Sequence, residues 1–509
     1  MLAKIRSLGL VGIEGFSVTV ECDVAPGLPS FEIVGLPDTA VKESKERVRS
    51  AIKNSGMEFP MGRITVNLAP ADIKKEGPLY DLPIALGLLI ATGQVRQSRI
   101  ENAVCLGELS LSGEIRPLRG VTPMLIAARR QGSALFFLPP GNAAEAGFID
   151  GITVYTPRTL QELIRFLRGA LLLEEIPHRS WSDVRAQTSY GTDFSLIKGQ
   201  STAKLAAEIA AAGGHNLILI GPPGSGKTMI ARAIPSILPE MTFEEALEST
   251  KIHSVSGTLE NGLLSVRPFR SPHHTASVAA LAGGGSTSRP GEVSLAHNGV
   301  LFLDELPEYN RNALEALRQP LEDGRITVSR VFGSMSYPAS FMLVASMNPC
   351  PCGHYGSRTH RCTCTPTAIQ KYLSRISGPL LDRIDLQVEV DPVSYEEISG
   401  DAAAESSAEI RARVQKARER QLARFSGTGI HCNAQMNAEQ IKRFCAVDKA
   451  SQVLLENAFQ RLNMSARGYN RILKVARTIA DLKGCDAISA QHIALAISFR
   501  SLDRKYWEH

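Results

Sequence analysis

Apolar positions along the chain follow two periods, and each period predicts a different kind of element. Near the start, short apolar runs at 31–34 and 64–67 predict strands, and apolar residues at helical spacing predict an amphipathic helix over 39–54. The almost uninterrupted apolar run 81–90 predicts a buried helix. Residues 177–191 are polar and lose this periodicity, which predicts an interdomain linker.

Beyond the linker, the pattern is typical of a parallel α/β domain. A predicted helix over 201–212 precedes the apolar runs 216–220, 299–303 and 341–347, each of which predicts a buried strand. After about residue 390 the pattern is almost wholly helical. We therefore predict the α/β fold class, with an N-terminal α/β domain over 1–170, a linker over 171–192, a parallel-sheet core over 193–395 and a helical region over 396–509.

A phosphate-binding loop follows the first of these strands. The motif G-x-x-x-x-G-K-[ST] occupies eight residues: Gly221, Pro222, Pro223, Gly224, Ser225, Gly226, Lys227 and Thr228. In this motif backbone N–H groups and the N-terminus of the next helix surround the phosphates. Lys227 is expected to reach the outer phosphates and Thr228 to bind Mg²⁺. The chain is thus predicted to bind a nucleoside triphosphate, ATP, with Mg²⁺.

Acidic and amide side chains stand at the ends of the next two strands. Asp304 and Glu305 end the run 299–303, and Asn348 ends the run 341–347. Asp304 is expected to hold the metal, Glu305 to polarise the attacking water and Asn348 to position it. Two acids alone fit an ordinary solvated turn equally well. The phosphate loop upstream favours hydrolysis.

Three arginines further along the chain are candidates for stabilising the transferring phosphoryl group. Arg383 lies on a predicted short turn, and Arg467 and Arg471 open a helix in the C-terminal region. Such arginines act within one subunit or from a neighbouring one. A single arginine taken alone would be assigned to the surface.

Composition and charge restrict the partners. The chain has 509 residues, of which 44% are hydrophobic, and its net charge of +5 allows an anionic partner without requiring one. We expect a cytoplasmic protein, because the sequence has neither a signal-peptide pattern nor an apolar stretch long enough to span a membrane. Aromatic residues are only 6% of the chain, which favours contacts to a nucleic-acid backbone over base stacking.

Four of the nine cysteines crowd into one window, in the pattern C-x-C…C-x-C. These are Cys350, Cys352, Cys362 and Cys364. Four thiolates can complete a tetrahedral structural Zn²⁺ site, although the one-residue gap is shorter than the usual spacing. Pro351 and Gly353 favour the turn that such a gap needs. The alternative is four unliganded thiols of a reducing compartment.

The order of these motifs resembles the AAA+ ATPase superfamily. The resemblance assigns Walker A to 221–228, Walker B to 301–305, sensor 1 to Asn348, an arginine finger to Arg383 and sensor 2 to Arg467, with Arg471 as the substitute. The segments 267–277, 320–330 and 347–353 narrow it to the magnesium-chelatase-like ATPases of the YifB/ComM type, over nearly the whole chain. Members are hexameric motors, and their best understood role is DNA branch migration during natural transformation.

The resemblance also implies where DNA would bind. The interval between Lys227 and Asp304 leaves room for an insertion over about 243–294, which would face the central pore of a ring, and its glycine-rich part, 283–291, predicts a flexible loop. Alternation over 325–330 predicts a hairpin strand. The candidate phosphate contacts are Arg267, Arg270, Arg289, Arg325 and Arg330. Ion pairs at a subunit interface are the alternative for these arginines.

The N-terminal domain resembles the Lon protease domain, an α/β fold of the ribosomal-protein type, through 75–78 and 106–117. Lon-like enzymes carry a serine and a lysine near the positions that Leu79 and Thr122 occupy here. Without that pair, serine–lysine catalysis is unavailable. We expect a role in assembly or DNA binding.

Together these features predict an ATP-driven homohexameric DNA translocase or helicase that promotes branch migration and acts on single-stranded, duplex or branched DNA. The sequence does not distinguish one ring from two stacked rings. One alternative is a protein-remodelling motor like the magnesium-chelatase ATPase subunit. A second is a slow nucleotide-gated regulatory module.

Overall fold

Two separate sheets organise the chain. The computed structural model describes residues 2–186, 190–260, 262–284, 289–330, 333–357, 360–393, 404–461, 464–500 and 502–507. Contacts divide the chain into one unit formed by 1–187 with 246–265 and another formed by 188–245 with 266–509. Among the described residues, no helix has both the length and the apolar character needed to cross a membrane.

The first unit contains a mixed seven-stranded sheet in the order β3-β4-β2-β1-β5-β8-β9. Its strands, with the small β6–β7 ribbon, are β1 (Leu2–Val11), β2 (Glu14–Ala25), β3 (Ser30–Val34), β4 (Arg63–Ala69), β5 (Ala103–Cys105), β6 (Glu108–Leu109), β7 (Ile115–Arg116), β8 (Leu135–Phe137) and β9 (Thr153–Tyr155). β1, β2 and β4 pair antiparallel, whereas β5, β8 and β9 are parallel.

The helices of the first unit include the two that the sequence pattern predicts, at 39–54 and 81–90. They are α1 (Thr39–Asn54), α2 (Asp81–Ala91), α3 (Val121–Arg130), α4 (Ala143–Ala146), α5 (Leu160–Leu167) and α6 (Trp181–Ala186). The Asp38 carboxylate caps α1 by accepting from the Val41 backbone N–H at 2.8 Å. Every residue of α2 is buried, which confirms the buried helix predicted from its apolar run. α6 lies in the interval predicted as a linker, so that interval is not wholly irregular.

The second unit contains a five-stranded parallel sheet in the order β11-β14-β17-β10-β18. Its strands, with two hairpins, are β10 (Leu217–Ile220), β11 (Phe269–Arg270), β12 (Gly283–Gly284), β13 (Arg289–Pro290), β14 (Val300–Leu303), β15 (Arg325–Arg330), β16 (Gly333–Pro338), β17 (Met342–Met347) and β18 (Leu386–Glu389). β10, β14 and β17 are buried at every position, as expected for central strands covered on both faces.

The helices from residue 201 onward are α7 (Ser201–Gly213), α8 (Lys227–Ala233), α9 (Phe243–Ser256), α10 (Val278–Ala282), α11 (Glu292–Leu295), α12 (Arg311–Glu315), α13 (Arg318–Asp323), α14 (Pro366–Leu373), α15 (Gly378–Leu381), α16 (Ser407–Arg424), α17 (Ala438–Phe444), α18 (Lys449–Arg461), α19 (Ala466–Leu482), α20 (Ala490–Ser498) and α21 (Leu502–Tyr506). Apolar residues of α7, α16, α19 and α20 share one core with the parallel sheet. Part of the expected pore insertion, 246–265, belongs to the first unit. The tip of its glycine-rich loop, 285–288, lies outside the described residues.

Candidate nucleotide-binding site

The phosphate loop joins β10 to α8 in the predicted strand–loop–helix arrangement. Gly224 and Gly226 have φ of 75° and 87°, in the left-handed region that glycine tolerates. Gly221 is needed for space, since a Cβ there would lie 2.2 Å from the Val390 carbonyl oxygen. The buried Lys227 ammonium donates to the Gly221 and Pro222 carbonyl oxygens, both at 2.8 Å. Burial lowers the pKa of Lys227, and nearby carboxylates oppose that shift.

The Thr228 hydroxyl and the Asp304 carboxylate lie side by side. Thr228 Oγ1 donates to Asp304 Oδ2 at 3.0 Å, and Ser346 Oγ donates to the other carboxylate oxygen. Hydroxyl and carboxylate oxygens are the ligands that Mg²⁺ prefers, so this pair fits the predicted metal site. Sequence reasoning missed Ser346, a polar residue within the otherwise apolar β17.

Glu305 leaves the end of β14 in a left-handed conformation with φ of 53°, and its backbone N–H donates to Asp304 Oδ1 at 3.1 Å. His274 Nδ1 lies 3.5 Å from Glu305 Oε2. The only signal in the sequence was the adjacent pair His273–His274, whose rings lie 4.1 Å apart.

Asn348 reaches the same site from β17. Its side-chain Oδ1 lies 3.3 Å from Lys227 Nζ. β10, β14 and β17 are parallel neighbours, so their carboxyl ends meet at one edge of the sheet. The structure thus brings together Lys227, Thr228, Asp304, Glu305 and Asn348. The first and last of these residues are 121 positions apart in the sequence.

The three candidate arginines lie near the amino ends of these strands, opposite to the carboxyl ends that carry the phosphate loop. Arg383 precedes β18, whose Leu386 pairs with Leu217 at the start of β10. The phosphate loop begins only after Ile220, about 13 Å further along the strand at roughly 3.3 Å per residue. Arg383, Arg467 and Arg471 line a cavity of about 190 Å³ together with Glu322 and Lys474. The structure therefore does not bring these arginines to the phosphate loop of their own chain.

The partners of these arginines differ. Arg383 is nearly buried and pairs with Glu322, whereas Arg467 is 64% exposed and lies 3.9 Å from the same carboxylate. Arg471 Nη1 donates to Asp385 Oδ1 at 3.0 Å. Burial alone would raise the pKa of Asp385, but Arg471 and His215 hold it below its usual value. This ion pair engages Arg471 within its own chain, and contact of Arg471 with nucleotide stays a prediction.

The four clustered cysteines approach one another closely. Their sulfur atoms lie within 4.8 Å of one another, and the Sγ–Sγ distances among Cys350, Cys352 and Cys362 are 3.4, 3.6 and 3.7 Å. A tetrahedral ion with metal–sulfur bonds of about 2.3 Å needs sulfurs about 3.8 Å apart. The cluster, completed by Cys364, can therefore hold a metal ion.

The candidate DNA contacts fall into two groups. The Arg267 guanidinium donates to the Pro239, Glu240 and Asn298 carbonyl oxygens and pairs with Glu245, and Arg270 forms a bidentate pair with Glu292 at 2.6 and 2.7 Å. Both guanidinium groups are thus engaged by groups of their own chain, and phosphate binding by Arg267 and Arg270 stays a prediction.

Arg289 and Arg325, by contrast, are exposed. They belong to neighbouring hairpins, because a Cβ at Gly284 would lie 3.7 Å from Val328 of β15. Arg330 ends β15, and its side chain lies outside the described part of the chain.

The first unit lacks the serine–lysine pair at the positions compared with Lon. Thr122 donates both its backbone N–H and its hydroxyl to Glu145 Oε2, at 3.1 and 2.7 Å. Ser254 Oγ donates to the same oxygen at 2.5 Å, so the site is a partly buried hydrogen-bond network. Leu79 packs against the apolar core of this unit.

The fold and these contacts define a nucleotide-binding protein of the magnesium-chelatase class. Residues 193–398 match the family described as magnesium chelatase, subunit ChlI; residues 20–142 match subunit ChlI of Mg-chelatase, and residues 404–500 match its C-terminal region. The chain is 45% identical over 506 residues to the uncharacterized protein YifB of Salmonella typhimurium, covering 99% of this chain and 98% of that protein.

It is also 44% identical over 509 residues to the competence protein ComM of Haemophilus influenzae, covering 99% and 98% of the two chains. The chain belongs to the YifB/ComM family of magnesium-chelatase-like proteins. A shorter similarity, 32% over 125 residues, relates 24% of this chain to 22% of Lon protease 2 of Bacillus subtilis. The predicted AAA+-like α/β fold with a Lon-like part and a helical C-terminal region is confirmed.

Proposed function

We propose that this protein is an ATP-driven, ring-forming DNA translocase with helicase or branch-migration activity. The observation that carries the proposal is the convergence of Lys227, Thr228, Asp304, Glu305 and Asn348 at one edge of a parallel sheet. Lys227 would bind the outer phosphates, and Thr228 and Asp304 would hold Mg²⁺, which supplies charge neutralisation when bound. Glu305 would orient and deprotonate the attacking water.

The opposite position of Arg383 and Arg467 supports a homohexameric ring. Because Arg383 precedes β18 and shares a cavity with Arg467 at the end of the strands remote from the phosphate loop, both arginines would act on the loop of another copy. Head-to-tail contacts place opposite edges of neighbouring subunits against each other and close into a ring. The hexamer, as one ring or two stacked rings, remains part of the proposal.

DNA is the proposed substrate because two exposed arginines, Arg289 and Arg325, stand on adjacent hairpins. The relative named competence protein ComM adds to this argument. We place the protein in the cytoplasm, where DNA is accessible and cysteine thiols stay reduced. Zn²⁺ is the proposed ion of the cysteine cluster, because four thiolates at these separations favour a tetrahedral soft-ligand site.

The test is steady-state ATP hydrolysis with single-stranded, duplex and forked DNA across a salt series. We expect stimulation by DNA that weakens steeply as salt rises, since each phosphate contact releases counterions. A four-way junction should be converted to duplex products only when ATP is present. Equal rates with and without every DNA, at every salt concentration, would contradict the proposal.

The match to the magnesium chelatase subunit favours one second candidate, a motor that remodels a partner protein. In that case DNA would leave the rate unchanged and a protein partner would raise it. The same ATPase series separates the two candidates. A slow regulatory module would instead keep its function in a Glu305→Gln variant locked with bound ATP, whereas a motor would stop.

A further inference from the structure

We propose that the metal-bound cysteine loop braces the nucleotide site, so that loss of the ion weakens nucleotide binding. This inference rests on the proposed function. The cysteine loop is the segment from Cys350 to Cys364, of which 358–359 lie outside the described residues. Its four sulfurs are spaced for one tetrahedral ion.

A backbone N–H group beside the sulfurs fits a bound thiolate. The Tyr355 N–H donates to Cys350 Sγ at 3.3 Å. Such outer-shell donors orient metal ligands and lower the cost of holding negative charge. Four ligands close the coordination sphere, so the ion is structural.

The loop touches the phosphate loop directly. Gly353, with φ of 82°, packs so tightly that a Cβ there would lie 2.5 Å from Pro223 Cδ. Pro223 is the third residue of the phosphate loop. A glycine is therefore required at 353 both for its backbone conformation and for this approach.

Both ends of the loop converge on Asn348. Cys350 follows Asn348 by two residues, and Asn348 Oδ1 contacts Lys227 Nζ at 3.3 Å. After Cys364 the chain enters α14, where the backbone N–H of Asn348 acts on the Tyr372 hydroxyl and opposes the rise in the pKa of Tyr372 that burial causes. The ion would thus connect the two ends of the cysteine loop, and both ends lie close to Asn348.

Without the ion, no metal–sulfur bond would hold the four cysteines together, and the cysteine loop would lose its fixed conformation. Nucleotide binding would then also have to order the released loop, so we expect the affinity to fall about tenfold. The ion also determines the position of Asn348, which lies beside the phosphates of the proposed complex.

The experiment compares wild type, Cys362→Ser and the control Cys485→Ser, a cysteine outside the cluster. Metal content is measured by elemental analysis, and binding of a fluorescent ATP analogue is measured by titration in Mg²⁺. We expect one zinc per chain in wild type and Cys485→Ser, and a zinc-free Cys362→Ser with about tenfold weaker nucleotide binding at unchanged helix content. Wild type without zinc, even after supplementation, would overturn the proposal, as would unchanged nucleotide binding in the zinc-free variant.

Gly353→Ala tests the brace if Cys362→Ser does not fold. It leaves all four sulfurs in place, so we expect zinc retained and nucleotide binding weakened. Full zinc with wild-type nucleotide affinity would overturn the brace. Failure of zinc-loaded wild type to bind nucleotide would instead refute the proposed function, which keeps the two failures apart.

Discussion

His274 Nδ1 lies 3.5 Å from Glu305 Oε2, which joins the segment after β11 to the acid at the end of β14. Tyr309 holds that segment, since its hydroxyl donates to the Pro272 carbonyl oxygen at 2.5 Å. A few residues further on, Ser277 caps α10, which leads into the β12–β13 hairpin that carries Arg289. His274 therefore connects the proposed catalytic acid with an element proposed to contact DNA.

We expect His274→Ala to lower kcat up to about fivefold with KM nearly unchanged, because a partly exposed contact of this kind contributes at most about 1 kcal/mol. His274→Asn should restore part of the loss. Steady-state ATPase kinetics provide the measurement, and His178→Ala, which removes an exposed histidine paired with Asp150, is the control. An unchanged kcat in His274→Ala would show that the contact does not position Glu305.

Lys227 and Glu305 are expected to separate binding from hydrolysis. Lys227→Ala should abolish binding of ATP, because it removes the ammonium that lies among the loop carbonyls. Glu305→Gln should keep ATP affinity while turnover falls roughly 10²–10⁴-fold, the usual contribution of a general base. Titration and single-turnover assays test both, with the exposed Glu308→Gln as control. Turnover that survives Lys227→Ala would refute the nucleotide site.

Arg383 should act on a neighbouring subunit. Arg383→Ala and Lys227→Ala should each be inactive alone, but an equal mixture should regain activity. At roughly a quarter of the randomly formed subunit interfaces, an intact Lys227 then faces an intact Arg383 of the neighbour. The ATPase rate of the mixture is the measurement. Lys227→Ala mixed with Glu305→Gln is the control, since both residues serve the same chain's site and no intact site can form. An inactive Arg383→Ala mixture, or a fully active Arg383→Ala protein, would count against action between subunits.

Arg289 and Arg325 should carry phosphate contacts. The double variant Arg289→Ala/Arg325→Ala should bind DNA more weakly at low salt, and the slope of log affinity against log salt should flatten by about 0.7–0.9 for each lost contact. Fluorescence anisotropy with labelled DNA measures this. Lys416→Ala/Arg420→Ala, which removes two positive charges from α16, is the charge-matched control. Equal slopes for the two double variants would exclude these hairpins as the contact site.

Asp385 should make folding sensitive to acid. Its pKa is held below the usual carboxyl value by Arg471 and His215 despite burial, so it stabilises the fold above the unfolded-state pKa of about 3.9. That stabilisation should be lost as pH falls below about 4. Asp385→Ala should cost about 3–5 kcal/mol at neutral pH, because it leaves buried cations unpaired.

Thermal and denaturant unfolding at several pH values measure this effect. Asp486→Ala is the control, since Asp486 is 98% exposed and forms only a surface pair with Arg420. Equal destabilisation by the two variants would refute the role of the buried network around Asp385.

Some features could be predicted from the sequence because their chemistry is local. The phosphate loop is a run of eight residues between an apolar strand and a helix, and the structure has both elements in place. α1, α2 and the strands β10, β14 and β17 also appear where apolar periodicity indicates them. The cysteine cluster was visible for the same reason, since a few residues separate its members.

The contacts that the sequence did not indicate join residues that are distant along the chain. Nothing near Arg267 in the sequence shows that Glu245 and three carbonyl oxygens occupy its guanidinium. Likewise, an isolated serine in β17 gives no sign that Asp304 receives its hydrogen bond. Exposure and partnership are properties of the packed chain, which a linear pattern does not contain.

The sequence by itself determined that the chain has a phosphate loop, two acids and an amide after three apolar strands, and a group of four thiols close together. Only the tertiary structure decided that Asn348 contacts Lys227 and that His274 contacts Glu305. It also decided that Arg383 lies at the amino end of the strands, away from the phosphate loop. The physical reason is strand order: parallel pairing places the ends of distant segments beside one another, and a residue before a strand lies a full strand length from a residue after it.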